Sequence, residues 1–72
     1  MKELNKNKIG KFIRNIRLKN NLLLREFSEK LNITQSRLSK IENGLILPDL
    51  LFIIKCSNVF NVCADEFIIY VE

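Results

Sequence analysis

Two short helical patterns joined by a tight corner occupy residues 24–43 of this sequence. Apolar residues recur there at spacings of three and four, stop at the corner and resume beyond it. These residues are Leu24, Phe27, Leu31, Leu38 and Ile41. At the corner, Asn32 tolerates left-handed backbone and the Thr34 hydroxyl can cap the second helix, which Gly44 is suited to end. The pattern predicts a helix, a sharp corner and a second helix, with the small Ser28 letting the two backbones approach.

Three more helices are predicted around this pair. The first covers about residues 7–20, where apolar residues share one face and basic residues populate the rest. Another begins at Pro48 and Asp49, runs to about residue 59 and is apolar around most of its girth. Its expected core-facing residues are Leu50, Ile53, Ile54 and Phe60. A short last helix, ending at residue 68, follows a left-handed corner at Asn61, so the predicted fold is an all-α, compact five-helix bundle.

Length and composition suit one small domain over residues 1–72, with its core in 9–68 and a short apolar tail, 69–72. The 72 residues are 47% hydrophobic, which is enough to fold a helical bundle without a metal or a disulfide. Cys56 and Cys63 lie among apolar residues without CxxC spacing. We expect both thiols to be free and mostly buried in a reducing cytoplasm. Gly10, inside the first helix, indicates either a close approach of another element or chance tolerance.

Charge is distributed unevenly along the chain. Residues 1–44 carry 11 Lys and Arg against 4 acids, a net charge of +7, whereas residues 45–72 carry one lysine against 4 acids. The basic part favours a polyanionic partner, with an ordinary solvated surface as the alternative.

Basic residues interrupt the apolar positions of the first helix, which argues against a signal peptide, and no apolar run reaches transmembrane length. A cytoplasmic protein is expected.

The outward face of the third helix is predicted to present hydrogen-bonding side chains, because only Leu38 and Ile41 point inward. The outward residues are Gln35, Ser36, Arg37, Ser39, Lys40 and Asn43. The major groove of DNA admits such a helix, in which glutamine pairs with adenine, lysine or arginine with guanine, and serine with several bases. Preceded by a helix that crosses the DNA backbone, it would complete a helix-turn-helix. The alternative is a solvated face without a partner.

Four stretches make the sequence resemble the lambda-repressor-like, or Xre-type, helix-turn-helix domains over about residues 9–68. They are IGKFIRNIR at 9–17, FSEKLNITQSRLSKIENG at 27–44, Pro48, and NVCADEF at 61–67. The resemblance implies a lambda-repressor-like five-helix fold in which helices 2 and 3 form the helix-turn-helix. It also implies double-stranded DNA as the partner.

The same resemblance implies roles for individual residues. The residues expected to read bases are Gln35, Ser36 and Lys40. The residues expected to flank them or hold phosphate are Thr34, Arg37, Ser39 and Asn43, with Arg25 and Arg14 as compensating basic residues. Arg17 and Glu42 would form an ion pair that ties the first helix to the third and holds the fold together.

The start of the second helix departs from the family pattern. The family usually has a hydroxyl residue and a phosphate-binding glutamine there, and this sequence has Leu23 and Leu24. The position two residues after the glycine, often basic in the family, is Ile46. With Leu45, these residues place an apolar cluster near the DNA-facing side. The cluster either weakens phosphate binding or marks a protein-binding surface.

Two functions follow from these observations. The first is a sequence-specific DNA-binding regulator, a repressor that binds a roughly palindromic operator as a homodimer with the third helix in the major groove. The second is a helix-turn-helix used as a protein-binding module, an antirepressor or partner-binding subunit with weak DNA binding. The apolar residues expected to form a dimer or partner surface are Leu51, Phe52, Tyr70 and Val71.

An enzyme is not expected from this sequence. It has no histidine, no glycine-rich phosphate loop and no acidic pair in an apolar setting. We therefore expect no cofactor, no metal and no small-molecule ligand.

Overall fold

The structure, a computed structural model, describes residues 5–63 and 65–68. Four helices of at least eight residues follow one another, and they are α1 Lys6–Lys19, α2 Leu24–Leu31, α3 Gln35–Glu42 and α4 Leu50–Phe60. A single helical turn, α5, covers Asp65–Ile68. No strand occurs within the described ranges. The all-α prediction is confirmed, but within the described residues four helices rather than five extend beyond one turn.

Side-chain caps begin three of the four long helices. The side-chain oxygens of Asn5, Thr34 and Asp49 accept hydrogen bonds from the backbone N–H three residues further on, at 2.9–3.1 Å. The start of α2 lacks such a cap, because Leu23 has no side-chain acceptor. Instead, the Glu26 carboxylate accepts a hydrogen bond from the Leu23 N–H at 2.8 Å, which is half of a capping box.

Left-handed residues end all four long helices. The positive φ angles belong to Asn21, Asn32, Gly44 and Asn61. After α1, α2 and α3, a backbone N–H donates to the carbonyl five residues earlier at 2.9–3.1 Å, the closure of a Schellman motif. Asparagine and glycine are the residues that adopt this conformation at least cost. The predicted left-handed corners at Asn32 and Asn61 are confirmed, and so is the glycine end of α3.

The core lies between the α2–α3 pair and the other helices. α3 packs against both α1 and α2, and α2 also packs against α4. Edge-to-face ring pairs, Phe12 with Phe67 and Phe27 with Phe60, join α1 to α5 and α2 to α4. The buried apolar residues are Ile9, Ile13, Ile16, Phe27, Leu31, Leu38, Ile41, Phe52, Cys56 and Phe67. The apolar sides of α2 and α3 are therefore covered by the scaffold helices.

Gly10 lies at a close approach of α1 to α3. A Cβ atom at this position would stand 2.6 Å from the Ile41 carbonyl oxygen and 2.7 Å from that of Glu42. Both atoms belong to the backbone of α3, so neither can move aside as a flexible side chain would. The close-approach interpretation of this glycine is supported over chance tolerance.

Helix α4 turns only part of the predicted side to the core, because Ile53 and Phe60 pack against it as predicted but Leu50 and Ile54 do not. Phe52 and Cys56, one turn apart, are buried, whereas Leu50 and Ile54 are 72% and 44% exposed. Since α4 is apolar on nearly every side, its sequence contains no periodic contrast that would identify the inner face. The assignment of Phe52 to a dimer or partner surface was wrong, because its side chain is 1% exposed. Leu51 is exposed as predicted.

The two cysteines differ in burial, although both were predicted to be mostly buried. Cys56 is buried and free as expected, and burial raises the pKa of its thiol to about 12. Cys63 is also free but exposed, because it lies after the corner at Asn61, outside the α4 core face. The predicted apolar tail, with Tyr70 and Val71, lies outside the described residues.

Candidate nucleic-acid interface

The corner between α2 and α3 occupies residues 32–34. Ser28 is buried at this junction, and its hydroxyl donates to the Arg25 carbonyl at 2.7 Å. The Ile33 N–H donates to the Ser28 carbonyl at 3.0 Å, and the Ile33 side chain packs against the core. The small, internally satisfied Ser28 therefore allows the close helix-corner-helix geometry that the sequence predicted.

One side of α3 is core and the opposite side is open. Leu38 and Ile41 are fully buried. The side chains of Gln35, Ser36 and Lys40 are exposed and form no hydrogen bond or ion pair within residues 5–63 and 65–68. All the hydrogen-bonding capacity of these three side chains is thus open to an external partner.

The predicted flanking residues lie at the edges and ends of α3 and are bonded within the protein. Thr34 caps the N-terminus of the helix. At the other end, the Asn43 amide donates to the Ser39 carbonyl at 2.9 Å and to the Ser39 hydroxyl at 3.3 Å. These bonds hold both side chains beside the C-terminal turn of α3, where Ser39 is half-buried and Asn43 is exposed.

An ion pair joins α3 to the start of α4. The Arg37 Nη2 lies 2.7 Å from the Asp49 Oδ2, and the two side chains are 42% and 53% exposed. The guanidinium of Arg37, together with the N–H of Phe52, holds the pKa of the Asp49 carboxyl below its usual value. Sequence reasoning predicted the position of Arg37 but missed Asp49 as its partner, since no helical spacing links residues on two different helices.

A second ion pair joins the C-terminal end of α3 to α1 on the buried side of the helix. Arg17 Nε donates to Glu42 Oε2 at 2.9 Å and Arg17 Nη2 donates to Oε1 at 3.1 Å. Arg17 Nη1 also donates to the Leu22 carbonyl at 3.2 Å. The side chains are only 14% and 5% exposed. The expected pair between the first and third helices is present, and its two-pronged geometry fixes α3 relative to α1.

Basic side chains of α1 lie beside the end of α3. Arg14 and Lys11 line a cavity of about 360 Å³ together with Asn7, Glu42 and Asn43. Arg25, in the first turn of α2, is exposed. Of these residues, Asn7 and Lys11 were not singled out from the sequence as site residues. Their position beside α3 depends on the contact between α1 and α3 at Gly10, which the sequence alone does not specify.

The four residues of the predicted apolar cluster separate into two kinds. Leu24 and Ile46 are half-buried and pack against the core. Leu23 and Leu45 are exposed, one before α2 and one after α3. Only these two leucines remain as surface residues that the family pattern does not explain.

No group of three or more His, Cys, Asp or Glu side chains in the described parts of the chain is close enough to hold a metal ion. None of the described helices combines the length and the apolarity needed to cross a membrane.

The chain belongs to the lambda-repressor-like (Xre) family of helix-turn-helix DNA-binding domains, because the helix-turn-helix family model matches residues 13–67. No curated protein sequence matched the chain.

Solved structures with this fold include two containing SinR. The match in the SinR–SinI protein complex has 33% sequence identity and a TM-score of 0.75 over 82% of this chain, which spans 58% of the matched chain. SinR in complex with DNA, described as the master regulator for biofilm formation, has 33% identity and a TM-score of 0.76, covering 83% of this chain and 97% of that one. The clp gene regulator ClgR from Corynebacterium glutamicum has a TM-score of 0.80 at 19% identity, covering 94% and 72%, and shows likeness of fold.

Proposed function

We propose that this protein is a DNA-binding transcription regulator that inserts α3 into the major groove. The observation that carries the proposal is a set of three exposed side chains that have no partner among the described residues, on a helix whose opposite side is buried and ion-paired to α1. They are Gln35, Ser36 and Lys40. Glutamine offers a donor and an acceptor to adenine, and lysine offers donors to guanine. Because no residue in 5–63 and 65–68 satisfies these groups, a base edge can do so without breaking a bond among them.

Phosphate contacts would come from residues around α3. Arg25 and Arg14 are exposed on the helices that flank it, and Lys11 lies in the cavity beside Asn43. Leu24 and Ile46 stand where the resemblance implies a phosphate-binding glutamine and a basic residue, so two side-chain contacts are missing. Because each lost cationic contact removes about one unit of salt dependence, we expect binding to be weaker and less salt-sensitive than in a relative with those residues.

We further propose that the protein acts as a repressor and binds a roughly palindromic operator as a homodimer. The eight residues of α3 can read only a few base pairs, which is too few to select one site in a genome. Three of the exposed apolar residues of α4 supply a surface for a second copy, and they are Leu50, Leu51 and Ile54. A DNA partner would place the protein in the cytoplasm, and no catalytic role is proposed.

A second candidate function is that of a protein-binding module with weak DNA affinity. The exposed Leu23 and Leu45 favour it, because both lie at the DNA-facing ends of α2 and α3, where polar residues would serve phosphate binding better. This function predicts only weak, wholly salt-sensitive binding to any duplex.

In vitro selection from random duplexes at physiological salt separates the two functions. The regulator predicts an enriched site with two-fold symmetry, whereas the module predicts no enrichment. Gln35→Ala and Lys40→Ala should then each lower affinity for the selected site by about 1–3 kcal/mol. Lys19→Ala, which removes an equally exposed lysine at the far end of α1, is the matched control. If Gln35→Ala and Lys40→Ala both bind the site like the wild type, α3 is not the reading helix.

A further inference from the structure

The carboxylate of Asp49 performs two tasks at once. Its Oδ1 accepts a hydrogen bond from the Phe52 N–H at 2.9 Å and so caps α4. Its Oδ2 accepts a hydrogen bond from Arg37 Nη2 at 2.7 Å. Because the cap anchors the carboxylate at the helix start, Asp49 cannot readily turn away from Arg37. The lowered pKa of Asp49 has this same bond as its largest cause.

Arg37 lies at the edge of the exposed face of α3 that carries Ser36 and Lys40, which we call the reading face. Successive residues of an α-helix are turned by about 100°, which places position 37 between the buried side, marked by Leu38, and the open side, marked by Ser36 and Lys40. The half-buried state of Arg37 agrees with this rim position. A guanidinium at the rim of a helix in the major groove is suited to a phosphate of the DNA backbone, which it can bind with two parallel hydrogen bonds.

We propose that Asp49 withholds Arg37 from DNA phosphates and so limits the sequence-independent part of the affinity for DNA, an inference that rests on the proposed function. The carboxylate neutralises the guanidinium, and any movement of Arg37 to a phosphate would leave a fixed negative charge near the DNA backbone. Phosphate contacts add affinity for every sequence alike, whereas base contacts add affinity for one. By removing one phosphate contact, Asp49 lowers non-specific binding and leaves a larger share of the affinity to α3.

The test is the salt dependence of binding in Asp49→Asn. The asparagine oxygen can still accept the Phe52 N–H, so the cap of α4 is kept while the charge is lost. On a random duplex, freeing Arg37 should steepen the log–log salt slope by roughly 0.9, an extra loss of affinity of about three- to fourfold between 50 and 200 mM salt. Because a phosphate contact serves every sequence alike, the affinities for selected and random duplexes should rise together and their ratio should stay close to the wild-type value. Thermal unfolding by circular dichroism confirms that the variant is folded.

Two further variants separate this effect from a general gain of positive charge. Glu29→Gln removes an exposed acid of α2 that forms no ion pair with any described residue, and it should change the slope much less. Arg37→Gln in the Asp49→Asn background should return the slope to the wild-type value. An unchanged slope in Asp49→Asn, an equal change in Glu29→Gln, or a steep slope that survives Arg37→Gln would overturn the proposal while leaving the regulator function intact. A wild-type protein that binds no duplex would overturn both.

Discussion

The two ion pairs of α3 differ in each property that sets their strength. Arg17 and Glu42 are almost fully buried and joined by two parallel hydrogen bonds, whereas Arg37 and Asp49 are about half exposed and joined by one. Removing one partner from a buried pair leaves an uncompensated charge, whereas an exposed pair competes with water and salt. The same pairing of arginine with a carboxylate therefore fixes the buried side of α3 through Glu42, whereas the exposed pair of Arg37 is weak enough to respond to salt and pH.

The largest effect is expected at the buried pair. Glu42→Ala should lower the free energy of unfolding by about 3–5 kcal/mol, because Arg17 would stay buried without its carboxylate. A chain of this length has roughly 4–11 kcal/mol in total, so the variant should be close to unfolded. Urea denaturation measures the loss. Replacing both residues with methionine is the control and should recover most of the stability, since no unpaired charge remains. Equal losses in the single and double variants would contradict this assignment.

A smaller effect is expected where α1 touches α3 behind the reading face. Gly10→Ala should destabilise the fold by about 1–3 kcal/mol, because the new methyl group would overlap two backbone carbonyl oxygens of α3. Helix propensity alone predicts the opposite sign, a gain of about 1 kcal/mol. The midpoint of thermal unfolding therefore decides between contact and propensity. Asn15→Ala, at an exposed site of the same helix, serves as control and should not destabilise.

A substitution at the exposed start of α2 should raise the free energy of unfolding. Leu23→Ser supplies the missing acceptor and completes the capping box with Glu26, for an expected gain of about 0.5–1 kcal/mol. Leu45→Ser makes the same exchange at an exposed site outside any helix start, and should change stability by less than about 0.5 kcal/mol. Urea denaturation of both variants checks the difference. If the two serines gave the same gain, loss of surface leucine rather than capping would be the cause.

The smallest effect on stability is expected at the exposed pair, and it should depend on pH. The pKa of Asp49 is lowered in the folded state, so its contribution is fully present above the unfolded pKa of about 4 and is lost as pH falls through the folded value. Wild type should therefore melt slightly higher than Asp49→Asn at pH 7, and the gap should close below about pH 4. Thermal scans from pH 7 to pH 2 measure it. A gap that does not vary with pH would show that the pair contributes nothing.

Features set by neighbours in sequence could be predicted, and features set by distant contacts could not. Thr34, Asn32 and Gly44 act through backbone groups a few residues away, so their roles follow from residue type and position. The inner face of α4 could not be found because its apolar residues leave no periodic contrast, and Phe52 was misplaced for that reason.

The candidate site shows the same division. The residues proposed to read bases and the Arg17–Glu42 pair followed from the family resemblance, whereas the bond between Arg37 and Asp49 depends on how α4 packs beside α3. That packing is a property of the folded chain as a whole. The resemblance therefore located the side chains of the site but not the contact that we propose regulates one of them.

The span of the Arg17–Glu42 pair also has a kinetic consequence. Most turns and caps of this protein join residues within five positions of each other, but this pair closes a loop of 25 residues. Because closing a longer loop carries a larger entropic cost, we predict that this pair forms after the transition state of folding. Changes at Glu42 should then accelerate unfolding far more than they slow folding, which stopped-flow measurements on both arms of the chevron can resolve. The pair would thus set the unfolding rate, and with it the lifetime of the folded domain.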